Sequence, residues 1–558
     1  MPIKSFLKLR WPYVLIVALS FFIIWPTLME GYFSHHDDLQ VMRIYEMRKC
    51  FADFQIPCRW VPDMGWGNGY PLFNYYSHLP YYIGALASLL LGFVGAAKLL
   101  FLLPLVLSGI FMYKFVKEFT STYPALTAAV FYMFAPFKAL DTYVRGDVAE
   151  SFAMTLIPLL FYFLYRLIKK GKIKFMVGLS LTLAAFLLSH NIMAVLFSPV
   201  ILIVSFFWLW QARFKNLKMV ILGMLLGLGL SAFFILPAYF EKELVQIDNL
   251  TRLDLDFRAH FVTIKQLFLE NQWGFGASTP GTDDSISFQI GWPHWWVVVA
   301  SVVVMVISIV KKKSLKEYRL YFITLGIFLF SIFMTHIRSA FIWEGVPILR
   351  FTQFPWRFLA LAVFSTSLIV AFFIQEFGKK MQPYLAVILI IAVVLLNWSF
   401  FKPEHFYSDI SDQQKLSGKL WETQQKAAIL DYLPKAAVQP REGAPAGPIL
   451  RSGQATFDNF KLNSHSFEFK AAVKTPSDIE APVFDFPNWQ VKVNNQDFTH
   501  SNQNYLGRIS VHLDRGDYLI SGQLKDTPIR RWANYLTILS AIALIYFILY
   551  GKRNKKII

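Results

Sequence analysis

The sequence predicts a mainly α-helical protein that crosses a membrane about twelve times and carries one β domain outside it. Three observations lead there. Hydrophobic residues make up 55% of the 558 residues and charged residues only 16%, whereas soluble chains carry about 25% charge. The apolar residues gather in runs near the roughly 20 that a helix needs to cross a bilayer core of about 30 Å. One late stretch, 402–531, is instead polar and alternates with period two.

In chain order, the apolar runs are 11–29, 98–116, 123–140, 151–168, 175–189, 192–210, 219–237, 291–310, 320–335, 356–375, 384–401 and 532–550. Basic residues precede the first run and no small-residue cleavage site follows it, so it reads as a retained anchor. A further stretch, 79–94, either spans or lies at the interface, and charge decides between them. Seven basic clusters contain 24 Lys and Arg against three acids, Glu118, Glu317 and Glu376. All seven share one side only if 79–94 does not cross, and the positive-inside rule makes that side the cytoplasm. The net charge of +18 is thereby absorbed by topology, so nucleic acid is not needed as a partner.

This reading puts both termini inside. It divides the chain into a membrane domain (1–401, with a first external loop 30–98), an external β domain (402–531), and a final span with a basic tail (532–558). The β expectation rests on Phe467-Glu-Phe469-Lys, Trp489-Gln-Val491-Lys-Val493 and Ile509-Ser-Val511-His-Leu513, with Asn494-Asn495 and Arg515-Gly516-Asp517 as turns. Cys50 and Cys58, the only cysteines, both fall in the first external loop. They exclude a disulfide-rich scaffold or a Cys-built zinc site. A disulfide between them and two free buried thiols are both open readings.

Charged residues at a membrane edge are costly and hence functional candidates. Asp37 and Asp38 are paired carboxylates just beyond the first span, suited to a general base or to a divalent cation, Mg or Mn. The plainer reading is a solvated loop with an Asp capping the helix that follows. Tyr70, Asn74, Tyr75 and Tyr76 lie in an aromatic-rich part of the same loop, suited to stacking on sugars or to an interfacial aromatic belt. Arg145 shares a short turn with Asp141, Asp147 and Glu150, and either grips a phosphate or forms a structural ion pair. His190 and Arg357 stand at two other outer span ends, where the plainer roles are a satisfied helix-end residue and a snorkelling side chain.

Several segments together resemble a known family. They are Asp38-Leu-Gln-Val-Met-Arg43-Ile-Tyr45-Glu46, Gly69-Tyr-Pro-Leu-Phe-Asn-Tyr-Tyr-Ser-His-Leu-Pro-Tyr-Tyr82, Tyr143-Val-Arg145-Gly-Asp-Val-Ala-Glu150, Ser189-His190-Asn191 and Gln353-Phe-Pro-Trp-Arg-Phe358. Phe486-Pro-Asn-Trp489 and Gly516-Asp-Tyr-Leu extend the likeness into the β region. The chain resembles the YfhO-like membrane proteins of bacteria and archaea, some labelled 6-pyruvoyl-tetrahydropterin-synthase-related, within the GT-C glycosyltransferase superfamily. It departs from the family's usual Asp-Gly with a His shortly after, having Asp37-Asp38 and then Val41. No grouped zinc histidines of a pterin enzyme are present in the sequence.

The resemblance implies a GT-C enzyme that takes a sugar from a polyprenyl-phosphate carrier and passes it to a cell-envelope acceptor on the extracytoplasmic face. It implies Asp37 or Asp38 as the base, with Asp38 favoured by the motif. Arg145, Arg357 and His190 would bind the carrier phosphate, and Tyr70, Asn74, Tyr75, Tyr76 and Glu150 the substrate. Helix 79–94 would wall the lipid entrance. Membrane lipids, donor and acceptor are the implied partners. A lipid-linked sugar flippase or a non-catalytic envelope scaffold are the other readings.

Overall fold

A computed structural model of the chain describes residues 3–281, 283–312 and 315–553. The end of the basic tail, 554–558, lies outside the described residues. The first helices are α1 (Ile3–Leu28), α2 (Gln40–Ala52), α3 (Leu79–Val116), α4 (Thr122–Met133) and α5 (Val148–Lys170). They continue as α6 (Ile173–Ser189), α7 (Asn191–Gln211), α8 (Leu217–Leu230) and α9 (Ala232–Phe240). The last five are α10 (Trp292–Lys312), α11 (Arg319–Thr335), α12 (Leu359–Gln375), α13 (Gln382–Asn397) and α14 (Pro528–Arg553).

Among the described residues nine helices are long and apolar enough to cross a membrane, or ten if the bent pair α8–α9 is one span. Each of the twelve expected runs falls on helix, but two are broken and a third lies on a helix too short to count among the nine. The run 123–140 stops at Met133 because the chain restarts at Pro136, whose ring cannot continue a hydrogen-bonded helix. The run 175–189 is the 17-residue α6, and 219–237 bends by 69° at Ser231.

Helix α3 joins the ambiguous stretch 79–94 to the next run, yet the two halves are not one rod. Gly92 sits at φ 71° and ψ 178°, outside helical space. The amides freed there, Phe93 and Val94, donate to the Asp412 carboxylate at 2.8 and 2.7 Å. Asp412 thus caps the second half from a segment more than 300 residues away. Before the break Leu89 and Leu90 point outward, Leu90 at 90% exposure, while Tyr81, Gly84 and Ala85 face the protein.

The later part of the chain contains a six-stranded sheet. Its strands follow the two-residue β1 (Tyr32–Phe33) and β2 (Phe406–Tyr407), which pair with each other. They are β3 (Ile449–Asn463), β4 (Ser466–Phe484), β5 (Trp489–Val493), β6 (Gln496–Phe498), β7 (Arg508–Leu513) and β8 (Gly516–Leu524). The antiparallel order is β3-β4-β8-β5-β6, with β7 also on β4. The sheet therefore occupies only the later part of 402–531. The earlier part, 402–448, is loops and short helices laid against the membrane domain.

Alternation decides the sheet's inner face. Phe467, Phe469, Trp489, Val491, Ile509 and Val511 are buried there, and Trp60 of the first loop packs among them. Arg508 donates to Asn68 Oδ1 at 2.7 Å, and the Phe484 amide donates to the Asn68 carbonyl. Cys50 and Cys58 are joined as a disulfide within this loop.

Gly92→Ala should lower the melting temperature. Its Cβ would meet Asp412 Oδ2 at 2.7 Å and would force a side chain into positive φ. Asp412→Ala should destabilise less, by about 1 kcal/mol, as loss of a cap does. Thermal unfolding of the two purified variants checks the order.

Candidate functional site

The turn after α4 carries the centre of the site. Residues Leu140–Arg145 form a wide π-type turn that ends at Gly146, φ 71°. A Cβ on Gly146 would collide with the His35 ring, so the first loop can approach only a glycine here. The amides of His36 and Asp37 then donate to the carbonyls of Val144 and Arg145, both at 2.9 Å. This pairing places Asp37 beside Arg145.

Arg145 is buried among carboxylates. It donates to Asp141, to Glu150 at 2.9 Å and to Asp147 at 3.0 Å, and its guanidinium lies 4.6 Å from the Trp356 ring centre. Arg357 donates to Glu150 at 3.2 Å and to the Thr352 carbonyl at 2.8 Å. Burial alone would raise the Asp147 carboxyl, but Arg145, His190 and Arg357 hold it well below the usual range. Asp147 also caps α5 by accepting from the Glu150 amide. His190 Nδ1 accepts from the Met193 amide at 3.1 Å, which turns Nε2 towards Asp147 at 3.8 Å. Burial lowers its pKa, against the opposing effects of Asp147 and Glu150.

A cavity of about 780 Å³ opens against this cluster. Arg145, Asp147, His190 and Arg357 form one wall, and Asp37, Arg43 and Tyr76 another. Val195, Ile235, Ile348 and Phe351 give it an apolar side, and Lys242 adds a further cation. Asp37 Oδ2 accepts from Arg43 at 2.6 Å, and Arg43 lies 4.4 Å from the Tyr76 ring centre.

The fold separates the expected residues. Asp37, Arg145, His190, Arg357, Tyr75 and Tyr76 border the cavity. Asp38, the carboxylate favoured by the motif, does not: its Oδ2 accepts from Lys415 at 2.5 Å. Glu150 is fully buried behind the wall, holding both arginines. Tyr70 is buried and donates to the Ala428 carbonyl. Asn74 is buried between Arg59 and Glu241. The Tyr75 ring stacks on Tyr432 at 5.5 Å while its hydroxyl donates to the Glu241 carbonyl.

Asp37 and Asp38, the expected metal pair, are each engaged by a different cation, Arg43 and Lys415. The one group of three metal-capable side chains among the described residues is Asp147, Glu150 and His190, with ligand atoms within 4.8 Å. Two members of this group are already engaged by arginines, Asp147 through Oδ2 and Glu150 through Oε2, and His190 Nδ1 is taken by an amide. A wall with two fixed guanidiniums suits an anion.

Sequence reasoning missed Asp431. It is half-buried on the cavity wall, and its carboxylate has no hydrogen-bond partner among the described residues. Burial pushes it up to about 7, against the opposing effect of Arg43. No motif surrounds it, and only the tertiary fold brings it opposite the first loop. Arg43 was within a motif, and its spacing from Asp37 across the start of α2 was the readable signal.

The arrangement defines a polytopic membrane protein with an arginine-walled cavity at the ends of its helices, whose lining is completed by Ala428, Asp431 and Tyr432. A family model described as "6-pyruvoyl-tetrahydropterin synthase related domain; membrane protein" matches residues 73–403, and the chain belongs to that family. No curated protein matches. Among solved structures, the mycobacterial arabinofuranosyltransferase AftD aligns at TM-score 0.44 and 13% identity, over 72% of this chain and 28% of that one. The Archaeoglobus fulgidus oligosaccharyltransferase in its apo form aligns at TM-score 0.38 and 13% identity, over 71% of this chain and 56% of that one. The oligosaccharyltransferase AglB of the same organism, in complex with an inhibitory peptide and a dolichol-phosphate, gives the same values. The chain thus spans about a quarter to a half of the length of these proteins.

Asp431 makes stability depend on pH with a definite sign. A carboxyl raised from 3.8 to about 7 in the fold contributes stability below its unfolded pKa and loses it as pH rises through 7. Asp431→Asn should therefore flatten the fall in melting temperature between about pH 4 and pH 7. An unchanged pH slope in that variant would remove Asp431 as its source.

Proposed function

We propose that this chain is a membrane glycosyltransferase that moves a sugar from a polyprenyl-phosphate carrier to an extracytoplasmic acceptor in the cell envelope. The observation that carries the reading is the pair Arg145 and Arg357 on the wall of an otherwise largely apolar cavity, locked by carboxylates buried behind them. Such a wall suits a phosphate that gains charge, with the apolar side left for a lipid chain.

In this reading the acceptor hydroxyl gives its proton to a carboxylate on the Asp37 side, and its oxygen attacks the anomeric carbon. The bond from that carbon to the phosphate oxygen breaks, and its electron pair leaves with the carrier phosphate. Arg145 and Arg357, fixed before the reaction, stabilise the added charge without reorganising. Attack from the face opposite the phosphate inverts the anomeric centre. Asp37 is the better candidate base than Asp38, because Asp37 borders the cavity and Asp38 is held by Lys415. Arg43 orients Asp37.

The extracytoplasmic assignment draws on the basic clusters and on the Cys50–Cys58 disulfide, a pairing that persists in oxidising compartments. Segment 79–91 is read as an interfacial helix beside the cavity. A flippase would call for ionisable groups on both sides of the membrane midplane, whereas the charged cluster here gathers at one end.

Purified protein supplied with a panel of polyprenyl-phosphate sugars should release free carrier phosphate. Asp37→Asn should slow release by about 10²–10⁴-fold. Arg145→Ala should reduce turnover and carrier binding together, and Arg145→Lys should keep part of both, having charge without the fork. Normal turnover in folded Arg145→Ala would end this assignment.

Orientation has its own check. A single cysteine at the exposed Lys474 should react with an impermeant maleimide in intact cells, and one at Lys379 only after permeabilisation. The reverse pattern would invert the topology.

A further inference from the structure

A second cleft, of about 220 Å³, lies where the first loop, the sheet and the start of α14 meet. It is bordered by Phe54–Pro57, His465, Lys525, Asp526 and two arginines, Arg59 and Arg530. None of these residues borders the large cavity.

Arg530 is fully buried and its partners are incomplete. Its Nε donates to Glu241 Oε2 at 2.8 Å, and the guanidinium lies 5.0 Å from the Phe486 ring centre. Its Nη1 and Nη2 have no hydrogen-bond partner among the described residues. A buried charge with unmade hydrogen bonds is expensive, so such groups are normally paired. Arg59 is almost as buried and is the neighbouring cation. Burial, reinforced by Arg530 and opposed by Asp526, lowers its pKa to about 10. Asp526 is already shared: Arg59 Nε lies 3.3 Å from its Oδ1, and Asn534 donates to its Oδ2 at 2.8 Å. Lys525 is exposed at the rim. Arg59, Arg530 and Lys525 therefore face a single acid on the cleft wall, with Glu241 behind.

The surroundings place this excess of positive charge beside an apolar surface. Phe54 and Ile56 project from the cleft's edge at 87% and 70% exposure. Trp532, 72% exposed, begins the apolar outer face of α14 two residues after Arg530. Exposed apolar side chains of this kind belong in lipid, and aromatic residues mark the interface.

We propose that this cleft is a second anion site, distinct from the large cavity, that takes a phosphate group at the level of the membrane surface. The ligand chemistry is a phosphate oxygen set accepting from Arg530 and Lys525, with Arg59, whose Nη1 and Nη2 already donate to Asn74, the Phe233 carbonyl and Asn534, adding its charge from beside them. It has two sources, an anionic lipid headgroup or free phosphate. The site needs no glycosyl transfer, so it stands or falls apart from the proposed reaction.

Melting of the full chain is measured in detergent against inorganic phosphate, and in nanodiscs of phosphatidylglycerol against nanodiscs of phosphatidylcholine. A saturable rise with phosphate, its midpoint weakened roughly tenfold by Lys525→Ala, supports a free-anion site. A rise with phosphatidylglycerol alone, reduced by Lys525→Ala and by the pair Phe54→Ser and Ile56→Ser, supports a headgroup site. Arg530→Lys, which keeps the charge but removes the unpartnered fork, should weaken either response. Arg145→Ala should leave the response in place, since it acts in the other cavity. No rise in either medium would overturn the proposal. So would a rise that survives Lys525→Ala, or one that disappears in Arg145→Ala.

Discussion

The buried contact between Arg145 and its three carboxylates is the constraint on which the cavity depends. Without Arg145, three buried acids would face one another with no cation to offset their burial. Two acids without the third would leave Arg145 or Arg357 short of partners. Asp141 precedes Arg145 by one turn, Asp147 caps α5, and Glu150 reaches back from that helix's first turn. The cluster thus closes the 140–150 turn and ties α12 to it through Arg357. Removing one member of a buried ion group typically costs about 3–5 kcal/mol, so the geometry is strongly enforced. A guanidinium held in this way presents the same face whether or not a ligand is there.

From that turn the organisation spreads outward. The carbonyls of Val144 and Arg145 hold the first loop, and the first loop sets Asp37 and Arg43. The tyrosine-rich motif then acts as scaffolding. Tyr70 accepts from the Tyr432 amide at 2.7 Å while donating to the Ala428 carbonyl, so one hydroxyl pins both ends of a short segment, 428–432. Tyr75 supports the same segment by stacking on Tyr432. Gln246 secures it further on, donating to the Ala437 carbonyl at 2.7 Å. What is pinned is the stretch that carries Asp431 into the cavity wall.

This explains which parts of the protein were legible in sequence. Helical spans and sheet strands follow from apolar runs and alternation, which are local patterns. The 140–150 cluster was also legible, because four charges within ten residues at a span end have few ways to be satisfied apart from one another. The roles of Tyr70 and Asn74 were not, since aromatic and amide side chains look alike whether they bind sugar or backbone. Asp38 and Asp37 are adjacent, so nothing local says which turns inward. The partner that decides it, Lys415, is 377 residues away. The break at Gly92 was hidden for the same reason, its capping carboxylate belonging to Asp412.

Long-range partners of this kind share one direction: they come from 402–448, between the last span of the membrane domain and the sheet. Asp412 caps half of α3, Lys415 holds Asp38, and Ala428 to Tyr432 form cavity wall. The sheet itself is anchored through Trp60, Asn68 and Arg508 rather than through the cavity. The region 402–531 therefore forms two layers. An inner layer completes the site, and an outer sheet clamps the first loop from which Asp37 and Arg43 project. Loosening the clamp would act on the cavity only through that loop, whereas a change in the inner layer alters the cavity wall directly.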